Sequence, residues 1–356
     1  MAAPDAYEAI MLGDLKLENG NILAGAHVGF AHWGLPVGCG EPIVVLPSYY
    51  SGNAKSYAPW IGSEGLFDPE LCCILAFDQF GAGKSSKPSD APEKEWPVPS
   101  LADCVRAQKR ALELLGVAHI DLVAGWSMGG MQVFSWCEQF PDFVVSALAV
   151  CATPAPSAVN RVFLEGIRAV LVGGLKPSEV GALDKLPRAE LARRLRAFGA
   201  VYAGWAYSDE FFLSGAYREF DYASCDDVVS GWAADHEKMD AADLAAQLDA
   251  WLAAKPCSLA RECAGPYVLA MPASTDRYFL SETLGDVCSQ FPRMSVVEIE
   301  SDLGHIAGRP GIRPAETAQI KAQIDRLFPG GLRDGPQSQA RGTPVRTSIP
   351  THVTLQ

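Results

Sequence analysis

Residues 120–139, IDLVAGWSMGGMQVFSWCEQ, constrain the fold of this chain more than any other stretch. An apolar run over 120–125 reads as a buried strand. Gly125-Trp126-Ser127-Met128-Gly129 follows and fits G-x-S-x-G, and after it comes a segment whose Met131, Phe134 and Trp136 can line a helix packed on a sheet. A strand that turns straight into a helix around a serine crowds its own backbone, and Gly125 and Gly129 remove the side chains that would collide. Gly130 eases the same approach. The turn would hold Ser127 at the strand tip with its hydroxyl exposed, and the Met128 N–H would point to where a carbonyl oxygen becomes an oxyanion.

The rest of the chain supplies what such an elbow needs. Around Asn19-Gly20-Asn21, residues 14–33 alternate as an antiparallel hairpin at one sheet edge. Residues 41–50, EPIVVLPSYY, begin as a short buried strand ending at Pro47, and the loop beyond it is the natural second source of oxyanion donors. Pro47 has no N–H to give, so Tyr49 is the first choice and Ser48 the second. LCCILAFD at 71–78 is another strand, emptying into a Gly-, Ser- and Pro-rich loop. Gly81-x-Gly83-Lys84-Ser85 is not a phosphate loop, because Asp78 stands where the first glycine must be. Leu101, Val105, Leu112 and Leu115 have helical spacing and predict a crossover helix feeding the elbow strand.

After a strand over 144–153 the pattern changes. Residues 154–263 lack strand-like runs and carry Ala-, Leu- and aromatic-rich helical segments, too long for a plain loop and placed to cover the serine. The expected organisation is an α/β core over 1–153 and 264–328, a helical cap over 154–263, and a disordered tail over 329–356. Trp205, Tyr207, Phe211, Phe212 and Trp232 are candidates to line a pocket in the cap or to glue its helices together. Strands return at 267–274 and 294–300, each ending in a candidate catalytic residue, and 317–327 closes the core as a helix.

The order Ser127, Asp276, His305 is the Ser…Asp…His order of α/β-hydrolases, with each member just past the C-terminal end of an expected strand. His305 would take the serine proton, while Asp276 would fix the imidazole tautomer and stabilise the cation. Of the six histidines, His27 and His32 fall in the hairpin, His119 before the elbow strand, His236 in the cap and His352 in the tail. Asp302 and Asp78 compete for the acid's role, but Asp276 follows the strand before the His-bearing one.

Composition narrows the partners. A formal charge of −13 over 356 residues, with no Lys/Arg run, argues against nucleic acid and anionic membranes and leaves a small-molecule substrate. Ten scattered cysteines without a C-x-x-C pair, several in apolar runs, read as buried free thiols. With no secretory signal and no run of ~18 apolar residues, a cytoplasmic location is expected. No side-chain cluster has metal-ligand spacing, so no metal is expected.

GWSMGGMQ at 125–132, QFPD at 139–142, FDQFGAGKSSKPS at 77–89, STD at 274–276 and GHIAG at 304–308 together resemble the homoserine O-acetyltransferase (MetX-like) family of α/β-hydrolases, and in particular its hydrolase-like branch. The resemblance implies an α/β-hydrolase fold, a mostly parallel central sheet with flanking helices and an inserted helical cap. It also implies nucleophile Ser127, acid Asp276, base His305 and oxyanion N–H groups from Tyr49 and Met128. Trp126 departs from the Gly-Gly-Ser-Met-Gly-Gly of the acetyltransferases proper and would reshape the pocket floor. Arg168 falls near where those enzymes bind an amino-acid carboxylate. A homodimer through the cap is a further implication.

The expected activity is therefore acyl transfer from a small ester or acyl donor through an acyl-enzyme at Ser127, to water or to an alcohol. No cofactor is needed for hydrolysis, and acetyl-CoA would enter only as the co-substrate of a homoserine O-acetyltransferase-type reaction. A non-hydrolytic cyclisation or condensation by the same three residues, and a ligand-binding relative without turnover, are the alternatives.

Overall fold

The structure, a computed structural model, describes residues 3–259, 263–334 and 336. It opens with a hairpin of β1 (Ala6–Lys16) and β2 (Ile22–Gly34), turning through Asn19, whose side chain accepts from the Asn21 N–H. The hairpin sits at the sheet edge, as its alternation requires, but β1 starts eight residues before the expected position 14. Most β1 side chains are exposed or half-buried, so its first half carries too little apolar period to show in sequence.

β3 (Ile43–Pro47) and β4 (Cys73–Phe77) are buried along their whole length, the signature of strands covered on both faces. α1 (Leu101–Leu114) begins at a capping box in which Ser100 and Asp103 each satisfy the other's backbone N–H. It leads into β5 (Ile120–Trp126), α2 (Met128–Gln139) and β6 (Val144–Val150).

A long helical stretch then separates β6 from the next strand. It comprises α3 (Ala158–Val172), α4 (Arg188–Ala206), α5 (Asp209–Ser214), α6 (Cys225–His236) and α7 (Ala241–Leu252). The chain rejoins the sheet at β7 (Tyr267–Met271), passes through α8 (Leu284–Cys288) and β8 (Met294–Val296), and closes with α9 (Pro314–Leu327). Pro314 at the first helical position starts α9 three residues earlier than apolar spacing suggests. β7 stops at Met271 because Pro272 cannot donate to the ladder; Ala273 and Ile299 extend the pairing of β7 and β8 as an isolated bridge. The expectation of disorder over 329–356 falls mostly outside the described residues.

The eight strands run in the order β1-β2-β4-β3-β5-β6-β7-β8, with β1/β2 and β2/β4 antiparallel and every other pair parallel. From β3 the chain moves outward to β4, then crosses back to β5 on the other side. The strand order therefore reverses at the β3/β5 boundary, where open α/β sheets bind their ligands beyond the strands' C-terminal ends. The loops after β3 and β5 carry Tyr49 and Ser127. Among the described residues, no helix is long and apolar enough to cross a membrane.

Candidate active site

Ser127 sits between β5 and α2 at φ 57°, ψ −127°, a backbone conformation unfavourable for any residue with a Cβ. The surroundings hold it there. A Cβ built on Gly125 would lie 2.4 Å from the Gly129 carbonyl carbon, and one on Gly129 would lie 2.4 Å from the Pro47 oxygen. One on Gly130 would meet the Ala152 Cβ at 2.6 Å. The first two contacts are with backbone that cannot swing aside. Gly125→Ala is accordingly expected to cost about 3 kcal/mol of folding stability, read as a lower urea midpoint at unchanged slope. A midpoint equal to that of the parent would mean that the elbow is looser than drawn here.

Three side chains from three loops meet at this turn. His305, in the 3₁₀ turn Gly304–Gly308 after β8, places Nδ1 2.7 Å from Asp276 Oδ2 and Nε2 2.8 Å from Ser127 Oγ. A carboxylate only accepts, so Nδ1 carries the ring proton and Nε2 presents a lone pair to the serine hydroxyl. The other carboxylate oxygen, Oδ1, accepts from the Tyr278 and Phe279 N–H groups at 3.1 and 3.0 Å. All three residues are buried. The competing acids are engaged elsewhere. Asp78 accepts from Tyr7 Oη and from the N–H groups of Ala54 and Lys84, and Asp302 binds Arg313 at 2.9 Å.

The loop after β3 separates the two candidate oxyanion donors. The Ser48 N–H donates to the Phe77 carbonyl at 2.8 Å and is spent. Among the described residues, the N–H groups of Tyr49 and of Met128, the first residue of α2, have no acceptor.

Three buried glutamines, which motif reasoning did not single out, brace that loop. Gln132 Nε2 donates to the Ser48 carbonyl at 2.9 Å and Gln79 Nε2 to the Tyr49 carbonyl at 3.1 Å. Gln247 Oε1, on α7, accepts from both Gln79 Nε2 and the Ser51 N–H at 2.9 Å. Tyr57 adds a fourth brace, donating to the Pro47 carbonyl and accepting from the Trp126 N–H. The available signal was three long amides within otherwise apolar or Gly-rich surroundings, where a buried polar group demands a partner.

A cavity of about 210 Å³ opens beside Ser127 and His305. Trp126 forms part of its wall, stacked on the His305 ring at 5.1 Å. The helical stretch contributes Tyr202, Tyr207, Trp232 and His236. Trp205, Phe211 and Phe212 do not border it; Phe211 stacks on Tyr207 at 3.9 Å and the others pack among cap rings. Arg309 stands at the rim and makes no ion pair among the described residues. A larger groove, about 740 Å³ between Phe67 and Phe328, contains none of these residues and none of the chemistry.

Arg168 requires a correction. It does not border the cavity: its Nε donates to Asp249 Oδ1 at 2.5 Å and its Nη2 to Oδ2 and to the Leu175 carbonyl, tying α3 to α7. A buried carboxylate beside a guanidinium holds it as a structural pair, and no free fork is left for a substrate carboxylate.

Comparisons with known proteins agree with the architecture. The profile of the alpha/beta hydrolase fold family matches residues 42–307. An ethyl acetate hydrolase of Pseudomonas veronii is 28% identical over 234 residues, 64% of this chain and 66% of that protein. A probable esterase of Corynebacterium glutamicum is 25% identical over 63% of this chain and 65% of its own length. A homoserine O-acetyltransferase of Zymomonas mobilis is 31% identical over 43% and 46%. The chain thus spans just under two thirds, or less, of the curated relatives it matches. Among solved structures, an acetylester hydrolase from Corynebacterium glutamicum superposes with a TM-score of 0.80 at 22% identity, covering 92% of this chain and all of that one.

Proposed function

Because this chain belongs to the alpha/beta hydrolase fold family, we propose that it is a serine esterase, cleaving small esters through an acyl-enzyme at Ser127. The observation that carries the reading is the continuous relay Asp276 Oδ2, His305 Nδ1, His305 Nε2, Ser127 Oγ, with links of 2.7 and 2.8 Å, together with two backbone N–H groups, of Tyr49 and Met128, that have no acceptor among the described residues. His305 takes the proton as Ser127 Oγ bonds to the ester carbonyl, and Asp276 stabilises the imidazolium. The oxyanion accepts from Tyr49 and Met128, whose N–H groups are fixed before substrate arrives. His305 then protonates the departing alcohol. Water, deprotonated by the same nitrogen, releases the acid and restores the serine.

Hydrolysis is favoured over homoserine acetylation because Arg168, the residue expected to hold the amino-acid carboxylate, is occupied by Asp249. The names of the relatives, one an ethyl acetate hydrolase, support a short acyl group. The chemistry needs no cofactor, with acetyl-CoA a co-substrate only if an alcohol replaces water. All ten cysteines are free, which supports a reducing, cytoplasmic setting.

The small, ring-walled cavity leads to a direct test with nitrophenyl esters of increasing acyl length. kcat/KM is expected to be highest for acetyl to butyryl and to fall by about a hundredfold by decanoyl, since a cavity of this size is below the usual ~300–1,000 Å³ of ligand sites. A preference for decanoyl would overturn the small-ester reading.

A further inference from the structure

Ser274-Thr275-Asp276 carries two hydroxyls that the acyl chemistry does not use, and both reach the segment that delivers His305. That segment, residues 301–304, lies outside the strands, between the bridge at Ile299 and the 3₁₀ turn Gly304–Gly308. With no ladder to pair its backbone, side chains must do so. Ser274 Oγ accepts from the Ser301 N–H at 3.2 Å. Thr275 Oγ1 lies 2.7 Å from the Ser301 carbonyl oxygen and accepts from the Gly304 N–H at 3.1 Å. A carbonyl only accepts, so the hydroxyl proton is committed to Ser301 and a lone pair is left for Gly304. As the first residue of its turn, Gly304 has no acceptor for its N–H within that turn, and Thr275 supplies one.

The two loops are held in register. Thr275 grips Gly304, and its neighbour Asp276 grips His305, whose Nδ1 lies 2.7 Å from Oδ2. Adjacent residues after β7 thus hold adjacent residues after β8. The helical stretch pins the same segment from the other side. Gly304, at φ 65°, seats so closely that a Cβ would lie 2.6 Å from the Ser208 nitrogen and 2.8 Å from the Tyr207 carbonyl carbon. Ser208 Oγ caps α5 by accepting from the Phe211 N–H at 3.0 Å, and it donates to the Asp302 carbonyl. On the far side of the histidine, Trp126 Nε1 donates to the His305 carbonyl at 3.3 Å.

We propose that Thr275 is a positioning residue: its hydroxyl sets the register in which the Asp276 carboxylate, the His305 imidazole and the Ser127 hydroxyl meet. This rests on the ester-cleaving reading of the relay. Thr275 does not border the cavity, so it acts through His305 and not on substrate. His305 reaches Asp276 and Ser127 with opposite nitrogens of one rigid ring. A shift of its backbone that keeps one link lengthens the other, and proton transfer falls off steeply with misplacement.

The test uses the full chain, with nitrophenyl acetate as substrate. Thr275→Val keeps the shape of the side chain and removes the hydroxyl. It is expected to lower kcat by about 30-fold while KM stays within about twofold, because His305 serves both acylation and deacylation and Thr275 takes no part in binding. Thr275→Ser keeps the hydroxyl and should hold kcat within about threefold of the parent. A second readout needs no substrate: the proton on His305 Nδ1, deshielded by its bond to Asp276, gives a low-field resonance expected in the parent and in Thr275→Ser and absent from Thr275→Val. A urea titration checks that each sample is folded; should Thr275→Val not fold, Thr275→Ala repeats both readouts. Parental kcat in Thr275→Val, an equal fall in Thr275→Ser, or a fall with the resonance intact would overturn the proposal. Absence of ester turnover by the parent would remove the esterase reading alone, since the resonance still reports whether the hydroxyl places His305.

Discussion

Ser127→Ala is expected to lower kcat for a short-chain ester by on the order of 10⁶, leaving only what the oxyanion donors and binding provide over water. The size of the effect follows from the geometry. Oγ donates its proton to the His305 Nε2 lone pair at 2.8 Å, and the next residue, Met128, opens α2 with an N–H that has no acceptor among the described residues. Without Oγ, His305 has no proton to take and no covalent intermediate forms. The variant should fold as well as the parent, because alanine keeps the same φ of 57° that the glycines around it enforce and loses one hydrogen bond of about 1 kcal/mol. Steady-state kinetics with a urea titration of the same sample separate the two effects. A loss of less than about tenfold in folded protein would remove Ser127 from the chemistry.

Asp276→Asn is the second large effect, a fall of about 10⁴ in kcat at neutral pH. Its cause can be read from the hydrogen bonds. Oδ1 accepts from the Tyr278 and Phe279 N–H groups, so an asparagine must set its carbonyl oxygen there and turn its NH₂ toward His305 Nδ1. Two donors would then face each other unless the imidazole moves its proton to Nε2, where it can no longer receive one from Ser127. The substitution thus acts through the tautomer with almost no change of shape. Asp276→Ala, which removes the donor as well, should recover some of the loss in kcat while costing more stability. Near-parental activity of Asp276→Asn would show that another group orients His305.

The elbow and the parallel strands beside it were legible in the sequence, and Ser127, Asp276 and His305, named there, lie within hydrogen-bond reach of one another, because each rests on local pattern: an apolar run, glycines flanking a serine, a polar residue just past a strand. The start of β1 was not, since an edge strand with few buried side chains carries little periodicity. Nor was the occupation of Arg168, whose partner Asp249 lies on a different helix 81 residues later. Gln247, which braces the Ser51 N–H from 196 residues away, was illegible for the same reason. Of the two oxyanion candidates in the loop after β3, only the sheet register could decide, because the Ser48 N–H is consumed by Phe77, a residue on the neighbouring strand.

The most direct measurement is the pre-steady-state release of nitrophenol from nitrophenyl acetate, with the intact mass of the protein recorded during the burst. The predicted result is a burst approaching one equivalent, accompanied by a protein population heavier by one acetyl group, with both absent in Ser127→Ala. Steady turnover by the parent at the same rate in Ser127→Ala, or an acetyl adduct that persists in that variant, would contradict acyl transfer through Ser127.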